Sequence, residues 1–252
     1  MNRLAAALLI ALSTAVAAPV SAQQDAAPPK DVGVDDKAIM TSSGFLTAHP
    51  DLGNRLQGLD SLEDKNYKRA LDDFRRAARY GDKPSQGVIA EMYWNGQGVD
   101  VDRATAYAWM DLAAERAYPV LLAKREQFWA QLTPEERERA VPIGQALYDE
   151  YGDAAAKPRL EKVLIRERRR MTGSRVGFVG ALEIRIPTPG GMRSVDGSQY
   201  YHEKFWNPAL YWRWQDYDWK KPGKGSVDVG EVMTDLNEPA ADAAAEEGGD
   251  PR

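Results

Sequence analysis

Apolar residues recur at helical spacing through the middle of the chain, and the same pattern occurs twice. Ala70, Phe74 and Ala77 fall on one face of a helix predicted within residues 64–80. Ala106 and Met110 follow Ala70 and Phe74 at the same offset of 36 residues. A fixed offset of this size predicts a helical repeat array. The residues that define the predicted repeat are Ala70, Phe74, Ala77, Ala78, Gly81, Tyr93, Gly96, Gly98, Asp102, Ala106, Trp109, Ala113 and Ala114.

The side chains on this face suit close packing between helices. Alanine lets a partner helix approach, and Phe74 fills the groove between the ridges of that partner. Gly96 and Gly98 supply the backbone angles that a tight connection after the second helix requires. Asp102 is the predicted N-cap of the helix that follows.

The motif formed by these residues resembles the Sel-one-like repeats, a family related to the tetratricopeptide repeats. The resemblance lies within residues 64–118, and the sequence departs from the family pattern in two places. Ala117 stands where the family has glycine, and Pro84-Ser85-Gln86 replaces a run of small residues. The resemblance implies a helical scaffold that binds proteins without catalysis, often in bacterial secretory or envelope settings. The matching positions are Ala77-Ala78 with Gly81, Tyr93 to Val99, Asp102, Ala106, Trp109 and Ala113-Ala114.

Predicted helices flank the repeat on both sides. Residues 50–62 carry leucines at helical spacing, and Thr133-Pro134-Glu135-Glu136 combines an N-cap, a first-turn proline and a capping-box glutamate. A further helix is predicted at residues 158–171. Because two repeats rarely bury enough surface alone, we expect these helices to cap the stack. The predicted fold is mainly α, a short α-solenoid of about seven antiparallel helices over residues 45–172.

The pattern changes after Met171 to short apolar runs that glycine and proline separate. Residues 176–186 and 226–232 are candidate strands, with a turn at residues 187–191. They predict a small, aromatic-rich, β-rich C-terminal module over residues 173–236. Residues 237–252 are rich in Ala, Asp, Glu, Gly and Pro, a composition typical of a disordered acidic tail.

The N-terminal residues predict export. Arg3 precedes an apolar run at residues 4–18, and Val20-Ser21-Ala22 fits the small-residue rule for cleavage. We therefore expect a signal peptide at residues 1–22, cleaved after Ala22, a flexible leader at residues 23–44 and a periplasmic protein. A retained membrane anchor is the alternative; no further membrane span is predicted once the signal is removed.

Overall charge and cysteine usage narrow the classes of partner and site. The formal net charge is -5, which argues against nucleic acid as a partner. The chain has no cysteine, which excludes disulfides, lipid attachment through an N-terminal cysteine and thiolate metal sites. The apolar core must therefore hold the fold together.

Aromatic residues crowd into residues 200–219. In one interpretation, four tryptophans there contact a glycan such as peptidoglycan. In the other, which we favour, the rings pack the core of the C-terminal module or cover the helical stack. The tryptophans are Trp206, Trp212, Trp214 and Trp219.

Arginines cluster at the end of the last predicted helix, where Arg166, Arg169 and Arg170 lie close to Arg168 and Arg175. Two interpretations remain open. The cluster can bind phosphate headgroups or an acidic partner. It can also complement the dipole at the C-terminus of its own helix.

The two histidines give little support to a catalytic or metal site. His202-Glu203 resembles the start of a zinc-protease signature, but the second histidine of that signature is missing. A mononuclear metal site that adds Asp216 and Asp218, and with it a hydrolase, is the weakest alternative. His49, before a proline, is predicted to be a loop residue.

Together these features predict a non-enzymatic periplasmic scaffold or adaptor that binds another envelope protein. The alternative is a cell-wall or glycan-binding protein that uses the aromatic segment. The sequence assigns no catalytic residue, cofactor or metal ligand.

Overall fold

The computed structural model describes residues 36–172, 183–188 and 191–220, and most of these residues are helical. The predicted signal peptide, the candidate strand at 226–232 and the tail at 237–252 lie outside the described residues. The elements are α1 Asp36–Met40, α2 Ser43–Ala48, α3 Pro50–Glu63, α4 Tyr67–Ala78, α5 Lys83–Asn95, α6 Arg103–Ala113, a 3₁₀ turn Ala114–Arg116, α7 Pro119–Gln131, α8 Pro134–Tyr151, α9 Asp153–Thr172, β1 Glu183–Thr188, β2 Gly191–Asp196, α10 Gly197–Tyr200, α11 Glu203–Trp206 and α12 Pro208–Lys220.

The helix bounds repeat at the offset that the sequence predicts. The pair α4 and α5 begins at Tyr67 and Lys83, and the pair α6 and α7 begins 36 residues later in each case, at Arg103 and Pro119. The N-caps repeat as well. The side chain of Asn66 accepts a hydrogen bond from the backbone N–H of Arg69, and Asp102 accepts one from Thr105. The predicted mainly α, helical-repeat fold is confirmed.

The repeat-defining side chains form one core between these helices. Ala70, Phe74, Ala106 and Trp109 are all buried in it. Helix α4 packs on α3 and α5, and α6 packs on α5, α7 and α8. Helices α5 and α7 meet through the stacked rings of Trp94 and Phe128, whose centroids are 4.0 Å apart. Small residues thus bring the helices together, and aromatic rings fill the space between them.

The turn that ends the first helix of each repeat has the same backbone form in both copies. Gly81 has φ +79°, and Ala117 at the equivalent position has φ +57°. The departure from glycine at this position therefore leaves the left-handed turn intact. The left-handed backbone of Ala117 lowers the stability of the fold, because a Cβ atom is strained in this conformation.

The C-terminal segment contains the predicted β structure and aromatic cluster, and its described part also forms three helices. Only one antiparallel hairpin, β1–β2, is present among the described residues, with Ile184 opposite Val195. The segment then forms α10, α11 and α12. Asn207 caps the last of these helices through its side chain, and Pro208 occupies the first position, a start signal of the same kind as Thr133-Pro134.

The C-terminal segment shares a core with the N-terminal helices instead of standing alone. Ile39 and Phe45 pack with Tyr200, Phe205 and Trp206, and all five are at most 2% exposed. Residues 36–44, which were expected to belong to a flexible leader, are therefore largely helical. These residues are ordered by contact with aromatic rings that lie far away in the sequence. Their own composition gives no sign of that contact.

His49 is a loop residue, as the sequence predicted, but its side chain lies in the interior. The residue lies between α2 and α3, is fully buried and stacks on Phe45 with ring centroids 3.7 Å apart. Its two ring nitrogens lie 2.9 Å from the carbonyl oxygens of Phe45 and Phe205. Burial lowers the pKa of this imidazole. The ring therefore joins the N-terminal helices to α11.

The two equivalent turns give opposite predictions for stability. Ala117→Gly should raise the free energy of unfolding by about 0.5 kcal/mol, because glycine relieves left-handed strain but loses more entropy on folding. Gly81→Ala should lower it by about 1 kcal/mol or more, since the new Cβ would also lie 3.0 Å from Arg116. Urea unfolding followed by circular dichroism measures both. Equal destabilisation by the two variants would contradict the left-handed turn at Ala117.

Candidate partner-binding surface

Of the four tryptophans that the sequence offered as ligand contacts, two lie in the interior and two are partly buried. Trp206 is 1% exposed and Trp212 is 6% exposed. Trp214 is partly buried against Phe205, and Trp219 is partly buried and stacks on Tyr118. This arrangement supports the packing interpretation of the aromatic segment.

Helix α12 attaches to the repeat through buried charge. The ring of Trp212 lies under the guanidinium group of Arg116, 4.5 Å from ring centroid to Cζ, and near the ammonium group of Lys157. The hydroxyl of Tyr118 donates to Asp216 of α12 at 2.7 Å. Burial raises the pKa of Tyr118, so this hydroxyl stays protonated as a donor.

Asp153 links three helix ends beneath this contact. Its carboxylate accepts hydrogen bonds from Nε and Nη2 of Arg116 at 2.8 Å each, and lies 3.3 Å from Nζ of Lys83. Lys83 is also paired with Glu115 at 2.6 Å. Burial raises the pKa of Asp153, but the hydrogen bonds and charge of Arg116 and the charge of Lys83 outweigh it. The pKa therefore lies well below its ordinary value.

A fully buried carboxylate, Asp51, joins α3 to α12. Its Oδ2 accepts hydrogen bonds from the hydroxyl of Tyr211 at 2.5 Å and from the amide of Gln215 at 3.1 Å. Burial raises the pKa of Asp51, and the nearby His49 and the Tyr211 hydroxyl only partly offset that effect. Asp153 and Asp51 thus each bind side chains of other helices, and these polar contacts hold the helices together.

An exposed aromatic surface lies on the repeat itself. Trp129 of α7 is 39% exposed, and its ring centroid is 5.0 Å from that of the half-buried Tyr107 of α6. The guanidinium group of Arg137 in α8 lies over the same indole at 4.5 Å and donates to the carbonyl of Trp129 at 3.0 Å. We call Tyr107, Trp129 and Arg137 the Trp129 surface.

Charged residues border the Trp129 surface. Arg125 pairs with Glu126 at 2.6 Å and with Asp111 at 3.5 Å. Burial raises the pKa of Tyr107, and Asp111 raises it further, so this ring is a neutral donor at ordinary pH. A partly exposed indole among tyrosine and arginine has the composition that protein interfaces favour.

Sequence reasoning missed this surface because Trp129 directly follows Phe128, and residue type does not show which of the two rings faces the core. Adjacent residues on a helix point about 100° apart, so both rings cannot face the same core. Phe128 is 4% exposed and takes the inward position. Trp129 is left to lie across the gap between α6 and α8.

The predicted arginine cluster lies on α9. The side chains of Arg166 and Arg170 are 68% and 69% exposed, and Arg169 is also exposed. Arg168 pairs with Glu203 of α11 at 2.7 Å. Arg175 falls outside the described residues.

The weakest alternative, a metal site at His202, does not assemble. His202 caps α11 by accepting from the backbone of Lys204, while Glu203 and Asp216 are engaged with Arg168 and Tyr118. Within the described ranges, no group of three or more histidine, aspartate or glutamate residues could hold a metal ion. In the same ranges, no helix is both long and apolar enough to span a bilayer.

Comparison with known proteins finds one similarity of fold. The chain resembles the crystal structure of c5321, a protective antigen present in uropathogenic Escherichia coli strains displaying an SLR fold, that is, a Sel-one-like repeat fold. The two are 25% identical, the match covers 44% of this chain and 25% of that chain, and the TM-score is 0.39. No family model matches, and no curated protein matches. This chain thus spans a quarter of the length of the antigen.

The buried ion pairs predict a pH-dependent stability. Asp153→Asn should lower the free energy of unfolding by about 3 kcal/mol at neutral pH, because Lys83 and Arg116 lose their shared counter-charge. Since the folded pKa of Asp153 lies below its unfolded value, the parent's extra stability is present above about pH 4 and is lost below it. The variant should lack that part of the pH dependence in denaturant titrations.

The matched control is Glu150→Gln, which removes a carboxylate from the half-exposed pair with Arg79. Such surface pairs contribute little, so its effect should stay within about 0.5 kcal/mol. If both variants lowered the free energy of unfolding by the same small amount, the charge of Asp153 would contribute no more to stability than a surface ion pair does.

Proposed function

We propose that this helical-repeat protein is a non-catalytic scaffold that binds another protein through the Trp129 surface. The observation that carries the proposal is the exposed indole of Trp129, held between Tyr107 and Arg137 while the rest of the repeat's large rings pack inward. The family resemblance of the repeat motif, which implies protein binding, points the same way.

The geometry suits recognition because the contact groups are already fixed. Arg137 is anchored by its hydrogen bond to the carbonyl of Trp129, so its side chain loses little further freedom on binding. A pre-ordered indole can bury a large area against a partner at low entropic cost. Removal of a central aromatic group of this kind commonly costs 2 kcal/mol or more of binding free energy.

Trp129→Ala should weaken partner binding by about thirtyfold or more without unfolding the protein. Captured proteins from an envelope extract of the source organism can be compared by quantitative mass spectrometry between parent and variant. The recovered partner, once purified, gives the dissociation constant by calorimetry.

The control is Val120→Ala on the same helix, whose side chain is 72% exposed and lies outside the Trp129 surface. It should capture the same protein as the parent. A partner that both variants bind equally well would contradict the role of Trp129, and capture of no partner by the parent would contradict the scaffold itself.

We further propose that the protein works in the periplasm and that its partner is another envelope protein. The support is the short basic start, apolar run and Val20-Ser21-Ala22 site in the sequence. The protein recovered from the periplasmic fraction should begin at Gln23 by N-terminal sequencing. Recovery from the cytoplasm with its N-terminus intact would contradict export, and recovery from the membrane with that N-terminus would indicate a retained anchor.

A further inference from the structure

Helix α9 carries a strong local excess of positive charge in a chain that is acidic overall. Between Lys157 and Arg170 there are seven basic and two acidic residues, whereas the whole chain has a net charge of -5. Part of this charge serves the fold, because Lys157 pairs with Asp153 and Arg168 pairs with Glu203. The ion pairs of Arg166 and Arg170 are instead with Glu167 of the same helix.

Four residues form a continuous exposed stripe on this helix. Lys162, Ile165, Arg166 and Arg169 follow the spacing i, i+3, i+4 and i+7, which places them on one side of α9. All four are exposed, and the exposed fraction of Ile165 is 43%. Within the described residues, Lys162 and Arg169 make no ion pair. We call these four residues and Arg170 the α9 stripe.

A buried carboxylate holds two of the arginines in place. Glu167 is 6% exposed and contacts Nε of Arg166 at 2.9 Å and Nε of Arg170 at 3.1 Å. Both contacts use Nε, so the terminal nitrogens of the two guanidinium groups stay available to other acceptors. Paired nitrogens of this kind bind phosphate oxygens in a two-pronged manner.

The extent of the α9 stripe favours several phosphates over one. From Lys162 to Arg170 a helix advances about 12 Å, so the four cations are spread along a line. A groove of about 230 Å³ beside Arg170, lined also by Ser43 and Thr47 of α2, leaves room for a headgroup next to the line. An exposed isoleucine among the cations suits the boundary between headgroups and acyl chains.

We propose that the α9 stripe binds an anionic lipid surface through its phosphate headgroups. Each basic residue close to such a surface contributes attraction that adds along the stripe. The binding would orient the protein on the membrane face and is independent of the Trp129 surface.

Vesicle co-sedimentation of the full chain tests this proposal. One set of vesicles is an equimolar mixture of phosphatidylglycerol and phosphatidylethanolamine, and the other replaces phosphatidylglycerol with phosphatidylcholine. The uncharged set measures any association that the apolar run at residues 4–18 contributes. We expect clear preference for the anionic vesicles, and we expect it to fall as salt rises from about 0.01 M to about 0.15 M.

Three variants identify the residues responsible. Arg166→Gln with Arg169→Gln and Arg170→Gln should reduce partitioning onto anionic vesicles about a hundredfold. The same three positions changed to lysine should retain most of the binding, because the charge is kept. Lys65→Gln with Lys68→Gln and Arg69→Gln, which removes three exposed charges at the start of α4, should bind like the parent.

Equal binding of the parent to both vesicle sets would overturn the proposal. So would an equal loss of vesicle binding in the triple glutamine variants of α9 and of residues 65–69. A third result would also overturn the proposal. In that result the parent binds no vesicles but captures an acidic protein, and glutamine at Arg166, Arg169 and Arg170 abolishes the capture. Melting curves confirm that each variant is folded. Because the Trp129→Ala protein should bind vesicles normally, failure of the scaffold function and failure of lipid binding are distinguishable.

Discussion

The carboxylate of Asp153 lies between the guanidinium group of Arg116 and the ammonium group of Lys83, where α5 begins, α6 ends and α9 begins. Lys83 has no exposed side-chain surface, and Arg116 has 5%. Charges buried to this degree are tolerated only when they are paired and hydrogen-bonded. The three helix ends must therefore meet in one arrangement, and that arrangement fixes how α9 leaves the repeat.

The position of the C-terminal segment follows from these same charges. Trp212 covers Arg116, and Tyr211 donates to Asp51 at the start of α3, so α12 contacts both the repeat and the helix that precedes it. Two repeats bury too little surface to stand alone. Here the C-terminal segment packs against the helical domain. Its aromatic rings bury apolar surface that a longer array would bury against further repeats. The aromatic segment thus packs on α9 and on the N-terminal helices.

The repeat could be predicted from sequence because its signals are local. The Asp102 cap and the Thr133 capping box each depend on residues three positions apart, and the 36-residue offset compares two such local patterns. All three are present in the structure. Burial of Ile39 and His49 depends on partners such as Phe205, 156 residues from His49, which no local pattern indicates. The start of α12 at Asn207-Pro208 does carry a local signal, an N-cap side chain followed by a first-position proline.

The same difference separates the buried tryptophans of the C-terminal segment from the exposed Trp129. Residue type marks Trp206, Trp212 and Trp129 alike as interface residues, and only the packing of their neighbours separates them. Phe128 takes the inward position on α7 and leaves Trp129 outside, whereas Trp206 donates its N–H to the carbonyl of Tyr200 within the core. Whether a large ring is exposed therefore depends on which of two neighbouring side chains on a helix packs into the groove of the facing helix. The α9 stripe shares no residue with the Trp129 surface, so a change at one leaves the contacts of the other intact.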